Sequence, residues 1–187
     1  MTYTVKNYEH LIGLPGLSEK LLRNHFTLYG GYVTNVNKLN STLPTLTANT
    51  PEWNELTRRY GWEYNGMKLH ELYFENLTKE ASTPSGKLES AITTRYGSVE
   101  KFMAEFRVLG LTRGIGWAAL VQDAETQELS TIWIGEHDLG LLANQAILLV
   151  MDVWEHAYMT DYEIKRADYV TACMQIIDWK VVESRMA

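Results

Sequence analysis

The segment Asp152-Val153-Trp154-Glu155-His156-Ala157-Tyr158 begins at the end of an apolar run, residues 146–153, that is typical of a buried strand. A carboxylate and an imidazole stand four positions apart where this strand ends, so both side chains can point inward at one spot. Such ligands suit a redox-active first-row metal ion, because imidazoles raise the affinity and a carboxylate offsets part of the cation's charge. The spacing alone is more often that of an ion pair or a helix cap, so the interpretation depends on the rest of the chain.

Two further histidines favour the metal interpretation. Of the five histidines in the chain, His25 and His70 each lie on the apolar face of a predicted long helix. Helices of this kind must pack together, which can bring both imidazoles to the corner that carries Asp152 and His156. A polar side chain buried without a partner costs free energy, and shared coordination removes that cost. We therefore predict a metal site made of these four residues, and the single Cys173 excludes a cysteine-based zinc or iron–sulfur site.

The order of predicted elements indicates an α+β protein in two lobes. The periodicity of apolar residues and the turn signals predict helices over 17–41, 53–78, 87–96 and 98–110, strands over 116–122, 129–134 and 146–153, and helical spacing again from Arg166. The polar stretch 78–87, with its proline and glycine, is the best candidate boundary. We place an N-terminal helical hairpin domain at 1–82 and a C-terminal α/β domain at 83–187.

Composition excludes several classes of protein. The chain has 187 residues, 45% hydrophobic and 21% charged, as is ordinary for a globular protein. Its net charge is -6 without a basic block, which argues against nucleic-acid binding. No apolar run approaches the roughly 18 residues of a membrane span, and the first residues do not look like a secretory signal. We expect no membrane association and a cytoplasmic location.

Beyond these patterns, the chain resembles the iron/manganese superoxide dismutases. The 152–158 segment matches the family signature. Further segments resemble the family's first helix (17–37), second helix (69–74), strand entry (114–117), Arg-Pro-Asp-Tyr stretch (165–169) and terminal motif (177–179). The resemblance implies a long-helix hairpin lobe, an α/β lobe with a three-stranded antiparallel sheet, and one iron or manganese ion per subunit. It also implies superoxide as the substrate and a homodimer, with a pair of dimers as an alternative.

The resemblance assigns roles to further residues. Tyr32 is expected to relay a proton beside the substrate path, Trp117 to help keep the site dry, and Glu155 to reach a metal-binding histidine of the partner subunit. The family's glutamine at the metal-bound solvent is missing. Gly66 stands at its helix position, where we expect a void, and His137 stands at the alternative position between the second and third strands. We predict that His137 reaches this solvent through one nitrogen while Tyr32 or another group holds the other.

Some features depart from the family pattern and leave alternatives open. The family's gateway histidine is replaced by Leu28 or Tyr29, and its usual tyrosine partner by Met159. Gly66 is similar to manganese members whereas Val150 favours iron, so the metal stays open. The alternative function is a catalytically silent relative of the same fold. A ferritin-type storage site would need Glu-x-x-His repeats, which are absent, and mononuclear hydrolytic zinc usually has three protein ligands.

Overall fold

The computed structural model describes residues 2–80 and 82–187 of the chain. Within these ranges the α-helices are α1 Glu19–Thr42, α2 Pro51–Glu75, α3 Gly86–Tyr96, α4 Val99–Gly110, α5 Met159–Tyr162, α6 Arg166–Met174 and α7 Trp179–Ser184. The strands are β1 Gly116–Asp123, β2 Leu129–Gly135 and β3 Gln145–Asp152, and short 3-10 turns span Glu9–Leu11, Leu43–Thr45 and Glu155–Ala157. The predicted α+β class is confirmed.

Helices α1 and α2 form the long hairpin that the apolar periodicity predicted. The Ser18 hydroxyl caps α1 by accepting from the Leu21 amide at 3.1 Å, as expected from the sequence. Helix α2 begins two residues earlier than predicted, because Thr50 caps it and Pro51 occupies its first turn. It also ends at Glu75 rather than at residue 78. Asn76 stops it, and Leu77 pairs instead with Ile177 in an isolated bridge.

The three strands form an antiparallel sheet in the order β2-β1-β3, which confirms the expected architecture. The central strand β1 is buried along nearly its whole length. At the start of β1, the register sets Trp117 opposite Asp152 of β3 and opposite Ile134 of β2. The register therefore places a large indole directly beside the carboxylate at the end of β3.

A polar junction attaches helix α2 to strand β3. The side-chain oxygen of Asn76 accepts from the Val150 amide at 3.1 Å, two residues before Asp152. Arg185 donates to the Leu148 carbonyl at 2.8 Å and to the Leu72 carbonyl at 3.0 Å, so one guanidinium spans both elements. These bonds satisfy buried backbone groups that the two elements would otherwise leave unpaired. They also fix the helix that carries His70 against the strand that ends at Asp152.

No helix in the described ranges is long and apolar enough to cross a bilayer. The boundary at 82/83 lies beside the undescribed residue 81 and stays a prediction.

Candidate metal centre

Four different elements bring the predicted ligands to one place. His25 comes from α1, His70 from α2, Asp152 from the end of β3, and His156 from the 3-10 turn that follows. One nitrogen or oxygen of each residue lies within 4.8 Å of those of the others. Three of the four side chains are fully buried, and that of His156 is 25% exposed. This is the only such group of three or more histidine, cysteine or acidic residues among those described.

The distances within the cluster suit a shared cation. The Asp152 Oδ2 atom lies 3.1 Å from His25 Nε2, 3.0 Å from His156 Nε2 and 3.6 Å from His70 Nε2. Two ligand atoms that each lie about 2.1 Å from a common metal ion are roughly 3 to 4 Å apart, depending on the angle between them. The four residues are therefore spaced as ligands of one ion.

The hydrogen bond of His70 leaves its other nitrogen free for a ligand role. Its Nδ1 lies 2.6 Å from the Gly66 carbonyl, which can only accept, so the proton sits on Nδ1 and the lone pair on Nε2. That Nε2 atom is buried and has no hydrogen-bond partner among the described residues. A buried nitrogen without a partner is costly, and a cation in the cluster would remove the cost. The residues present therefore fit a metal ion. His25 Nδ1 is also buried without a hydrogen-bond partner among the described residues.

The protonation states of Asp152, His25 and His70 are those that metal binding requires. Burial alone would raise the pKa of the Asp152 carboxyl, but its close electrostatic and hydrogen-bond interactions with His156 and His25 hold it well below its ordinary value. Burial lowers the pKa of His25 and of His70, so both imidazoles are neutral near pH 7. An ionised carboxylate and neutral imidazoles have the lone pairs that coordinate a metal ion.

The Asp152 carboxylate is oriented by its neighbours. Its Oδ1 accepts from the Trp154 amide at 2.9 Å, which leaves Oδ2 for the three histidines. Its backbone carbonyl accepts from the Tyr169 hydroxyl at 2.6 Å, and that hydroxyl lies 3.1 Å from the hydroxyl of Tyr73. Contacts of this kind around a ligand usually set its direction and its basicity.

Tyr32, His137 and Trp117 form a buried chain next to the cluster. The Trp117 Nε1–H donates to His137 Nδ1 at 3.1 Å, so in the neutral ring the proton is on Nε2. His137 Nε2 then donates to the Tyr32 hydroxyl at 2.7 Å, which leaves the Tyr32 O–H free to donate elsewhere. The His137 ring is completely buried and stacks on Trp154 at 4.9 Å. Burial lowers the pKa of His137 to about 4, so the ring is neutral at pH 7.

Two details differ from the sequence-based expectation. Both ring nitrogens of His137 have protein partners, Trp117 at Nδ1 and Tyr32 at Nε2, whereas we expected one of them to be left for solvent. The void expected beside Gly66 does not exist: a Cβ atom there would lie 2.6 Å from two carbons of the Tyr32 ring. The absent side chain of Gly66 therefore makes room for Tyr32 itself.

Glu155, the remaining sequence-predicted site residue, is exposed beside His156. Arg166 donates to the carbonyls of Thr112 and Gly114 at 2.7 and 2.6 Å, so its guanidinium holds the loop before β1.

Sequence reasoning missed Trp62, whose ring lies 4.5 Å from that of His137. Its position about two helical turns before His70 is the signal that places it on the same side of α2.

A buried cluster of three imidazoles and one carboxylate, between a helical hairpin and an antiparallel sheet, defines a protein with a candidate mononuclear metal centre. Residues 84–185 match the family model described as "Iron/manganese superoxide dismutases, C-terminal domain". The chain belongs to the iron/manganese superoxide dismutase family.

Curated relatives cover nearly the whole chain. One from Cupriavidus metallidurans, named an iron superoxide dismutase, is 39% identical over 93% of this chain and 90% of its own. One from Haloferax volcanii, named a manganese superoxide dismutase, is 34% identical over 92% of this chain and 88% of its own. One from Saccharolobus solfataricus, named an iron enzyme, is 31% identical over 92% and 86%. Relatives named for both metals are therefore similar to this chain.

Proposed function

We propose that this chain is a superoxide dismutase that converts two superoxide anions and two protons into dioxygen and hydrogen peroxide. The site would hold one iron or manganese ion through His25, His70, Asp152 and His156. The observation that carries the proposal is the buried cluster of these four residues, with the unpartnered Nε2 of His70 aimed into it. Family membership and the names of the relatives support the same activity.

The ligand set suits an anionic substrate. When bound, the ion supplies the one-electron oxidation and reduction of superoxide. Imidazoles coordinate a metal ion in their neutral form, so three histidine ligands and one carboxylate contribute a charge of only −1 and a divalent or trivalent ion leaves the site positive. A positive site that is buried in low-dielectric surroundings attracts an anion more strongly than one in water.

Tyr32 is the side chain best placed to supply a proton. Burial raises the pKa of its hydroxyl, and the charges of Asp152 and Glu63 raise it further, so the phenol stays protonated at neutral pH. Its oxygen accepts from His137 Nε2, which leaves its own proton available. Its ring lies 5.1 Å from that of His70. Peroxide formation consumes protons, and a protonated phenol at this position can pass one on.

His137 would act on solvent at the site through Tyr32. Trp117 occupies Nδ1 and the single N–H on Nε2 donates to the Tyr32 hydroxyl, so both ring nitrogens have protein partners. A neutral imidazole with its proton on Nε2 donates and does not accept there. The fully buried Trp117 and the partly buried Trp154 would exclude other water from the cluster.

We also propose a homodimer with Glu155 near its two-fold axis. His156 is the one ligand whose side chain is partly exposed, and Glu155 beside it is exposed. Nearby apolar side chains are also exposed: Ile115 at 37% and Ile164 at 87% line one cavity with Glu155. A second copy of the chain would cover them. Assembly into tetramers and the cytoplasmic location remain predictions.

Reconstitution separates the proposed enzyme from a catalytically silent relative. Separate samples of the apoprotein are loaded with iron and with manganese. We expect each to hold one ion per chain, and at least one of the two forms to remove superoxide catalytically. A protein that binds an ion at the site without turnover with either metal would instead be the silent relative.

A further inference from the structure

A cavity of about 230 Å³ lies between α1 and α2 on the outer side of Tyr32. It is lined by Leu28 and Asn35 of α1 and by Arg59, Trp62 and Glu63 of α2, together with Tyr32. A water molecule takes up about 30 Å³ of liquid, so a diatomic anion fits easily. Tyr32, on the inner wall, is also the side chain that contacts His70 and His137. An anion that enters this cavity is therefore one side chain away from the metal cluster.

Arg59 is held at this cavity by two contacts. Its guanidinium carbon lies 3.6 Å from the centroid of the Trp62 ring, and its Nε donates to Glu63 Oε1 at 3.0 Å. Stacking and a charge-assisted bond together restrict an otherwise flexible side chain. Its two terminal NH2 groups make no hydrogen bond to any described residue. They are therefore available to an oxygen anion.

In the ion pair between Arg59 and Glu63, the positive side chain is exposed and the negative one is buried. The Arg59 side chain is 44% exposed, whereas that of Glu63 is 7% exposed. The carboxylate also accepts from Asn35 Nδ2 at 3.2 Å, which keeps it on the inner side. The Arg59 guanidinium thus lies at the opening and the Glu63 carboxylate behind it. The pair has no net charge, but its positive group is the one that faces solvent. A charge at the mouth of a low-dielectric cleft concentrates opposite ions there.

We propose that Arg59 attracts superoxide to the opening over Tyr32. It is the one basic residue among the described residues that line this cavity. The chain's net charge of -6 repels anions overall, so a local cation is needed to offset that repulsion. Arg166 is occupied by two backbone carbonyls. This inference rests on the proposed function, since it names the residue that delivers the substrate.

The chain offers a matched control for the test. Arg58 precedes Arg59 on the same helix, is 74% exposed and pairs with Glu55, but it does not line the cavity. Arg58→Gln and Arg59→Gln therefore remove the same charge from neighbouring positions, and only the second removes it from the opening. Arg59→Lys keeps the charge and loses the planar stacking group.

The first measurement is kcat/KM for superoxide in the metal-loaded protein as the salt concentration is raised from about 0.01 M to 0.15 M. Over this range the Debye length falls from about 30 to 8 Å, so attraction by exposed charges weakens. We expect Arg59→Gln to lower kcat/KM about threefold or more at low salt and to flatten its salt dependence. Arg59→Lys should retain most of the rate, and Arg58→Gln should resemble the unchanged protein. Equal effects of Arg58→Gln and Arg59→Gln would overturn the proposal, as would an Arg59→Lys protein as slow as Arg59→Gln.

A second measurement does not depend on activity. Iodide and neutral acrylamide both quench tryptophan fluorescence, and anions concentrated near Arg59 should quench Trp62 preferentially. We expect Arg59→Gln to lower the ratio of iodide to acrylamide quenching more than Arg58→Gln does. An unchanged ratio would overturn the inference. If the unchanged protein has no activity but shows this quenching difference, the proposed function fails while the anion attraction stands.

Discussion

The Nδ1 atom of His70 lies 2.6 Å from the carbonyl oxygen of Gly66, one turn earlier on α2. This bond places the proton on Nδ1 and turns the lone pair of Nε2 toward Asp152. The same glycine has no side chain, which allows the Tyr32 ring to pack against the helix at that point. One residue thus orients a candidate metal ligand through its backbone and admits the candidate proton donor through its lack of a Cβ atom.

Gly66→Ala should displace Tyr32 and lower activity. The new Cβ atom would lie 2.6 Å from the ring, a distance that forces the phenol to move. Overpacking of this kind costs about 1–3 kcal/mol, which urea unfolding would measure. The control is Gly61→Ala on the same helix, where nothing lies within 4 Å, and it should gain up to about 1 kcal/mol from helix propensity. If both variants are equally stable and active, the lack of a side chain at Gly66 does not decide the position of Tyr32.

Replacement of His137 should change the reduction potential. His137→Ala removes the donor to Tyr32 and the acceptor for Trp117, whereas His137→Gln offers an amide to both. We expect altered activity and a shifted potential in both variants, with the larger loss in His137→Ala. Each should be reconstituted with iron and with manganese. If neither variant changes the reduction potential or the activity, whether loaded with iron or with manganese, then His137 does not influence the metal site.

The low pKa of His137 also predicts a pH effect on stability. The pKa is about 4 in the folded chain and about 6.5 in an unfolded one, so the unfolded state binds more protons between these values. The contribution of the neutral ring to stability is complete above about pH 6.5 and is lost as the pH falls toward 4. We expect the free energy of unfolding of the wild-type chain to fall more steeply than that of His137→Gln over this window. Parallel curves would show that the ring does not titrate as described.

Glu155→Ala should weaken association of the subunits and lower activity. Glu155 is exposed beside His156, the ligand with the exposed edge, so a second copy of the chain can reach both. Sedimentation at micromolar concentration should show dimers of the unchanged protein and a larger monomer fraction for the variant. Glu163→Ala removes another acidic side chain nearby in sequence and serves as a charge-matched control. A fully active monomer of the unchanged protein would contradict the proposed dimer.

The ligand cluster was predictable because each of its members carries a local signal. His25 and His70 interrupt apolar helix faces, Asp152 ends the apolar run that becomes β3, and His156 follows it. The hairpin and the strands were predictable for the same reason, since apolar periodicity sets the buried face of an element.

The details around the cluster depend on contacts between distant segments. The bond from Trp117 to His137 depends on β1 packing beside the loop after β2, and neither segment indicates it alone. Helix α2 stops at Glu75 although its apolar periodicity continues to residue 78. The next residue, Asn76, accepts a hydrogen bond from the Val150 amide of β3, and this contact outweighs the local pattern. The contact between Gly66 and Tyr32 likewise joins two helices, so the sequence suggested a void where the structure has a ring.

Metal content of the His70→Ala protein, measured beside the unchanged chain after loading with iron or manganese, tests the central claim most directly. His70 offers a buried Nε2 with no other described partner, so its loss should remove a ligand and little else. We expect about one ion per chain in the unchanged protein, and loss of bound metal and of superoxide removal in the variant, with helix content largely retained. Normal metal stoichiometry in His70→Ala would contradict the four-residue site.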